Sequence, residues 1–187
     1  INFKFKLNMK KVLLSAVALL AFGFANAQEE KSTGGQTSEG KWLIEANTNF
    51  GAAHGANTSF QFASSDGSSA YNLGLEGGYF IMDNLALKAG LGFGGNKPDG
   101  GESSSTFSYK LGAKYYIMSM IPVQVDYSGS NTKDFDENPS YLGLQAGYAV
   151  FLGQNVSIEP GIRFNKSLNE DYYNDVFQLN IGFALHF

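Results

Sequence analysis

The stretch Val176–Phe187, VFQLNIGFALHF, decides the fold of this sequence. Every second residue in it belongs to an unbroken apolar row: Phe177, Leu179, Ile181, Phe183, Leu185 and Phe187. The residues between them are polar or small: Gln178, Asn180, Gly182, Ala184 and His186. This alternation predicts a β-strand with one apolar face. The chain repeats the pattern and contains little else that could cover such apolar faces. We therefore predict that these faces contact lipid.

The N-terminal residues have the pattern of a secretory signal peptide. Lys10 and Lys11 precede an apolar run, Val12–Phe24, which is followed by Ala25–Ala27. A basic region, a short apolar region and an A-x-A site predict cleavage before Gln28, and the run is too short for a spanning helix. Met9 directly precedes the lysines, so residues 1–8 are interpreted as an upstream extension.

Composition excludes several classes of function. The sequence has no cysteine, so it offers neither a disulfide framework nor a thiol for lipid attachment. Loss of residues 1–27 removes four lysines and leaves 9 basic against 17 acidic residues, a net charge of −8. Such a surface argues against a nucleic-acid partner.

The mature chain divides into a leader, 28–40, and a barrel domain, 41–187. The leader is rich in Gly, Ser, Thr and Glu without periodicity, which predicts a short, mobile segment on the periplasmic side. From Lys41 onward turn residues divide the alternating pattern into eight predicted strands: 41–53, 70–82, 85–95, 104–118, 121–129, 140–152, 156–166 and 174–187. An even number of strands is what a closed membrane barrel requires.

The connections between these strands alternate in length. Tight turns are predicted at Asp83–Asn84, at Ser119–Met120 and at Gly153–Asn155. The other connections are longer and polar: Gly55–Ser69, Asn96–Ser103, Ser130–Pro139 and Ser167–Tyr173. Short turns at one end and long loops at the other are typical of outer-membrane barrels. Pro160 interrupts a predicted strand, so a bulge or a local break is expected there.

Taken together, these features resemble the small eight-stranded outer-membrane β-barrel family, of the OmpA and OmpX type. The resemblance covers Lys41–Phe187 and implies a closed, antiparallel, eight-stranded transmembrane barrel in the outer membrane. It also implies that the barrel-assembly machinery recognises the last strand through its aromatic end; the matching residues are Phe183, Leu185 and Phe187. A soluble, lipocalin-like barrel is the alternative, and it predicts an apolar interior with a polar outside.

Charged residues occupy the inward positions that alternate with the apolar rows. Four acids and four bases are placed there: Glu45, Glu76, Asp126 and Glu159 with Lys88, Lys110, Lys114 and Arg163. The lumen of an eight-stranded barrel is only wide enough for side chains, so these groups are predicted to pair in a structural network. Lys114 and Asp126 are expected to be in contact. A proton or ion path is the alternative use of such a network.

Candidates for other chemistry are weak. His54 and His186 are expected at opposite ends of the barrel, and no fixed spacing marks Ser59, Ser64 or Ser65 as an activated nucleophile. The loop Asp134–Asn138 holds three carboxylates but lacks the glycine and the distant glutamate of a dedicated calcium loop, so a solvated acidic loop is predicted. We therefore predict no catalytic residue, no metal and no cofactor.

The sequence predicts a non-enzymatic surface protein. In this interpretation the barrel is a rigid anchor with a filled lumen, surrounded by outer-membrane lipid, and the loops 55–69 and 130–139 contact an extracellular ligand. A small passive pore and a lipid-acting enzyme that uses His54 remain the alternatives.

Overall fold

The computed structural model describes residues 35–51, 59–65, 67–133 and 135–187. The predicted signal peptide and residues 28–34 of the predicted leader lie outside these ranges. The described residues form ten strands: β1 Trp42–Gly51, β2 Ser59–Ser65, β3 Ser68–Met82, β4 Leu85–Lys97, β5 Ser104–Ile117, β6 Ile121–Thr132, β7 Ser140–Gly147, β8 Val150–Phe151, β9 Val156–Ser167 and β10 Val176–His186. None of the described residues belongs to a helix long and apolar enough to cross a membrane.

The sheet closes on itself through β10. This strand pairs with β9 on one side and with β1 on the other, from Leu43 opposite His186 to Gly51 opposite Gln178. The predicted closed, antiparallel, eight-stranded barrel is confirmed, because β7 and β8 are two parts of one barrel strand and β2 is a local insertion.

Pro160 explains why β7 and β8 are separate. Gly147 faces Gly161 and Val150 faces Ile158, so the register does not change across the gap. Proline has no N–H to donate to the neighbouring strand, and the ladder is therefore interrupted without an inserted residue. Of the two expected outcomes at Pro160, the structure has the local break and not the bulge, and the break lies in the partner strand.

Part of the predicted loop 55–69 is the strand β2. It pairs antiparallel with β3, from Ser65 opposite Ser68 to Gln61 opposite Asn72, and parallel with only two residues of β1. Nearer the tight turns, β1 and β3 pair directly over four residues each. The insertion therefore adds a short strand between β1 and β3 at the end of the barrel that carries the long loops. This end is here called the long-loop end.

The opposite end carries the tight turns and is here called the short-turn end. At the β5–β6 connection, Met118 has φ 53° and Ser119 has φ 60°, which are left-handed conformations. Ile117 faces Ile121, so the connection contains three residues and not the predicted two. This one-residue difference changes which side chains meet across β5 and β6.

Residues 35–40 of the predicted leader lie at the short-turn end and differ from the mobile segment expected there. Thr37 is buried, and the backbone N–H of Asn84 donates to its carbonyl at 2.7 Å. The backbone N–H of Gly40 donates to the carbonyl of Phe80 at 2.9 Å. This part of the leader is bound to the barrel.

Side chains alternate between the interior and the outer surface along the barrel strands. Inward positions are buried and outward positions are exposed; in β3, for example, Glu76, Gly78 and Phe80 are buried, whereas Leu75, Gly77 and Tyr79 are exposed. The outer surface is apolar, and the buried interior contains the charged residues. This arrangement excludes the lipocalin-like alternative, which requires the reverse.

The interior is layered along the barrel axis. An apolar cluster, here called the floor, fills the short-turn end and contains Leu43, Phe80, Ala86, Tyr116, Ala149 and Ala184, with Phe151 packed against it. Charged side chains lie above the floor, and buried hydroxyl and amide side chains such as Ser128, Asn165 and Gln178 share the interior with them. Tyr141, Val176 and Tyr173 form a second apolar cluster.

Candidate functional site

The candidate site is the interior charge network. Its eight charged residues project inward because each occupies the polar phase of an alternating strand: Glu45, Glu76, Lys88, Lys110, Lys114, Asp126, Glu159 and Arg163. Each is at most 4% exposed. Charges that are removed from water to this extent need partners of opposite sign and additional hydrogen bonds.

One part of the network is a chain of alternating lysines and glutamates. Lys110 Nζ lies 2.5 Å from Glu76 Oε1, and Lys88 Nζ lies 2.7 Å from Glu76 Oε2. Lys88 Nζ also lies 2.9 Å from Glu45 Oε2, and Lys114 Nζ lies 2.6 Å from the same oxygen. The series of ion pairs ends at Glu159, which pairs with Lys114. Each internal member therefore contacts two charges of opposite sign.

The other part is a bidentate pair between Arg163 and Asp126. Arg163 Nη2 donates to Asp126 Oδ1 at 2.6 Å, and Nη1 donates to Oδ2 at 2.7 Å. Gln124 joins the two parts, because its Nε2 donates to Asp126 Oδ2 at 2.7 Å while its Oε1 accepts from Lys88 Nζ at 2.8 Å. The eight charges thus form one connected network.

The predicted contact between Lys114 and Asp126 is wrong. In the register of β5 and β6, Lys114 faces Gln124 and Asp126 faces Gly112. The three-residue connection at 118–120 sets this register. Lys114 instead reaches across the lumen to β1 and β9, and Asp126 pairs with Arg163.

Hydrogen bonds connect the network to the floor. The hydroxyl of Tyr116 donates to Glu159 Oε1 at 2.8 Å, and the hydroxyl of Ser157 donates to the same oxygen at 2.9 Å. Ser157 Oγ also lies 3.0 Å from His186 Nε2. The ring of His186 packs near Phe80, Tyr116 and Phe151. His186 is therefore an inward residue at the short-turn end that packs against the floor.

Inward glycines make room for the long charged side chains. A Cβ added at Gly143 would overlap Arg163 Nη2 and would lie 2.8 Å from Asp126 Oδ1. A Cβ added at Gly112 would overlap the Cβ of Asp126 and would lie 2.5 Å from the carbonyl oxygen of Val125. Both glycines are thus required by close approach, and the pairing of small with large residues fills the narrow lumen.

The alternating pattern identifies the inward charged residues, but the predicted network lacks the amides and hydroxyls that lie between them. Asn47 donates to Glu45 at 2.9 Å, and Asn165 accepts from Arg163 Nε at 2.8 Å. The signal was present, because both asparagines occupy inward positions of the alternating pattern. The Ser157–His186 contact was also missed; both residues are fully buried, so a substrate has no access to them.

The weak candidates for other chemistry lie elsewhere or outside the described residues. His54 and Asp134 lie outside them. Asp136 and Glu137 are exposed. Across 35–51, 59–65, 67–133 and 135–187, no group of three or more His, Asp or Glu side chains is placed to hold a metal ion.

The long-loop end is bound together by contacts between two loops. Asn169 Nδ2 donates to Glu137 Oε2 at 3.2 Å, and the hydroxyl of Tyr173 donates to the carbonyl of Glu137 at 2.7 Å. Phe135 and Tyr172 are exposed in the same loops. These two loops therefore present a joined surface with both aromatic and acidic groups.

The residues of the predicted assembly signal lie on the outer surface of β10 or directly after it. Phe183 and Phe187 are exposed, and Leu185 is half-buried. Phe187 is held by the strand pairing, because it exchanges backbone hydrogen bonds with Trp42, with N–O distances of 2.6 and 3.0 Å.

The likeness to known proteins is structural. No protein-family model matches the sequence, and no curated protein sequence matches it. The outer-membrane protein Ail of Yersinia pestis is 13% identical, with 80% of this chain and 100% of that chain covered and a TM-score of 0.48. OprG of Pseudomonas aeruginosa is 12% identical, with 82% and 99% covered and a TM-score of 0.47. The N-terminal β-barrel domain of OprF from the same species is 13% identical, with 80% and 98% covered and a TM-score of 0.45. At these identities the likeness concerns the fold alone.

Proposed function

We propose that this protein is a non-enzymatic outer-membrane barrel whose filled interior makes it a rigid anchor and whose long loops make contacts outside the cell. The observation that carries the proposal is the combination of an apolar outer surface with an interior in which four acids and four bases pair among themselves. Such an interior leaves no charge of one sign in excess along the axis, unlike a selective ion path.

The outer surface supports a position in lipid. Large apolar side chains along the barrel strands are exposed, including Leu91 at 57%, Leu111 at 60% and Leu144 at 52%. A water-soluble domain rarely exposes a continuous apolar surface of this kind. In a bilayer, contact between this apolar surface and lipid is favourable. The closed sheet provides hydrogen-bond partners for its backbone N–H and C=O groups, which lipid cannot do.

Aromatic pairs support the same position. Trp42 and Tyr79 pack at 5.0 Å between ring centroids near the short-turn end, and Phe93 and Phe107 pack at 5.1 Å farther toward the long loops. From Tyr71 to Tyr79 the strand rises about 27 Å, or about 20 Å of height after a tilt of about 40°. This height is close to the apolar band of an outer-membrane barrel, flanked by aromatic belts.

We propose that the long loops are the part of this protein that binds partners. Binding residues usually lie on loops that a rigid scaffold positions, and the network and the floor make this barrel rigid. We propose that the loops 55–69 and 130–139 meet an extracellular ligand. The outward row that ends at Phe183, Leu185 and Phe187 is the signal for the assembly machinery in this proposal.

Conductance across a planar bilayer tests the proposal. The chain Gln28–Phe187 is refolded beside two double variants, Asp126→Ala/Arg163→Ala inside the barrel and Lys166→Ala/Asp175→Ala at the long-loop end. Neither variant changes the net charge. The interior variant removes the Arg163–Asp126 pair, and the loop variant removes the ion pairs of Lys166 with Asp175 and with Glu170. We expect silence from the unmutated barrel and from the loop variant, with current from the interior variant.

Steady current through the unmutated barrel would contradict the filled interior and support the passive pore. Silence from all three proteins would show that the Asp126–Arg163 pair is not what fills the lumen. Deletion of the loops with retention of the barrel then tests the second half of the proposal, through loss of binding to the cell-surface ligand or loss of envelope integrity.

A further inference from the structure

Residues 35–41, here called the strap, cross the short-turn end and bind the tight turns. Thr37 Oγ1 lies 2.6 Å from Asn84 Oδ1, and the backbone N–H of Glu39 donates to Asp83 Oδ1 at 2.9 Å. Gln36 Nε2 donates to the carbonyl of Gly153, in the turn between β8 and β9, at 3.2 Å. The strap therefore connects turns that are far apart in sequence.

Asn84 extends these contacts to a third turn. Its Oδ1 accepts from Ser119 Oγ at 2.8 Å, and its carbonyl accepts from the backbone N–H of Tyr116 at 2.8 Å. Tyr116 belongs to the floor and donates to Glu159 of the charge network. A path of hydrogen bonds thus runs from Thr37 through Asn84 to the floor.

A second path runs through the backbone of Phe80. Gly40 donates its N–H to the carbonyl of Phe80, and Phe80 donates its N–H to the carbonyl of Lys41, both at 2.9 Å. These two bonds prolong the direct pairing of β1 with β3, which otherwise spans only Trp42–Glu45 on β1. Because Phe80 is a fully buried floor residue, the strap and the floor share one backbone contact.

We propose that the strap is a latch for the floor, and that its displacement opens the floor to solvent from the short-turn end. A pull on the polar residues that precede the strap in sequence would be transmitted to Phe80 through Gly40 and Lys41. The inference rests on the proposed function, because a latch matters only in a barrel whose interior is otherwise filled.

A substitution at Gly40 releases the latch without replacing any floor residue. It has φ 86°, and an added Cβ would meet no atom within 4 Å, so the glycine is required by its backbone conformation alone. Gly100, in the loop between β4 and β5, has φ 66° and equally open surroundings. Gly100→Ala therefore carries the same kind of backbone cost at the other end of the barrel.

The absence of cysteine allows a direct measurement of floor accessibility. Ala149→Cys and Ala184→Cys each place one thiol in the floor, at positions that are 3% and 1% exposed. The full mature chain carrying either thiol is refolded in lipid vesicles, and its reaction rate with a small water-soluble maleimide is measured. Two thiol positions guard against the misfolding of one variant.

We expect Gly40→Ala to raise the labelling rate about tenfold, since alanine disfavours the left-handed conformation by about one order of magnitude in population. Gly40→Pro is expected to raise it further, because proline cannot adopt a positive φ and has no N–H for Phe80. Gly100→Ala is expected to leave the rate unchanged. Trypsin cleavage after Lys41 reports independently whether the strap is displaced.

Faster cleavage after Lys41 without faster labelling would overturn the latch. Equal labelling in Gly40→Pro and in Gly100→Ala would overturn it as well. These results are separate from the conductance of the unmutated barrel, which decides the proposed function.

Discussion

Ion pairs occur both in the barrel interior and at the long-loop end, in opposite surroundings. The side chains of Lys114 and Glu45 are fully buried, whereas those of Lys166 and Glu170 are 45% and 66% exposed. In the interior, a buried charge is not solvated by water. Loss of one partner therefore leaves the charge of the other partner uncompensated. At the long-loop end, water and salt screen the same interaction. Loss of an interior pair is therefore expected to lower the free energy of unfolding much more than loss of an exposed pair.

The largest expected effect comes from breaking the interior pair of Arg163 and Asp126. Arg163→Met leaves a buried carboxylate without its bidentate donor, and we expect it to lower the free energy of unfolding by about 3–5 kcal/mol. Denaturant unfolding of the barrel in detergent micelles measures the change. Adding Asp126→Asn removes the orphaned charge and is expected to restore part of the loss. A double variant no more stable than Arg163→Met would contradict this explanation.

A smaller effect is expected from crowding the same pair without removing a charge. Gly143→Ala places a methyl group against the guanidinium of Arg163 and is expected to cost about 1–3 kcal/mol of stability. Gly77→Ala is the matched control, because Gly77 faces outward on β3 and an added Cβ would meet no atom within 4 Å. Comparison of the two unfolding curves checks the prediction. Equal stability of the two variants would show that the interior has room to spare at Gly143.

The smallest effect is expected at the long-loop end. The backbone N–H of Ser167 donates to Asp175 at 2.9 Å, and this bond, with Lys166, lowers the pKa of the Asp175 carboxyl below its ordinary value of 3.8. Because this pKa is lower in the folded state, the contribution of Asp175 to the stability of the fold is fully present above pH 3.8. It is lost as the pH falls through the pKa of the folded state. A carboxyl NMR titration measures this pKa. We expect Lys166→Ala to move the titration only slightly upward, and a midpoint at or above 3.8 in the unmutated protein would contradict the assignment.

Alternation was sufficient to predict the barrel and the inward positions of its charges. The rule that neighbouring side chains point to opposite faces of a strand is local, so it can be read from the sequence. The identity of each charge's partner is not local. Lys114 pairs with Glu45 and Glu159 across the lumen. The residue that faces Lys114 on β6 depends on the length of the turn after Ile117. A one-residue difference at Met118–Met120 was enough to make the predicted Lys114–Asp126 contact wrong.

Two other differences have similar physical causes. The segment SFQFASS of β2 alternates over too few residues to be distinguished from a loop, and pairing with β3 makes it a strand. The composition of the leader predicts a mobile segment, but Thr37 and Gly40 bind to the turn and the strand beside them. In both cases tertiary contacts determine the structure of a segment that has weak local preferences.

The pairing of Trp42 with Phe187 has a consequence for biogenesis. The two residues are joined by two backbone hydrogen bonds, although nearly the whole barrel sequence separates them. Closure therefore has the highest possible contact order in this domain and cannot begin until β10 is available. A chain interrupted before β10 would carry two open sheet edges, one on β1 and one on β9, which are templates for aggregation. The last strand is therefore the part of the sequence on which closure of the barrel depends.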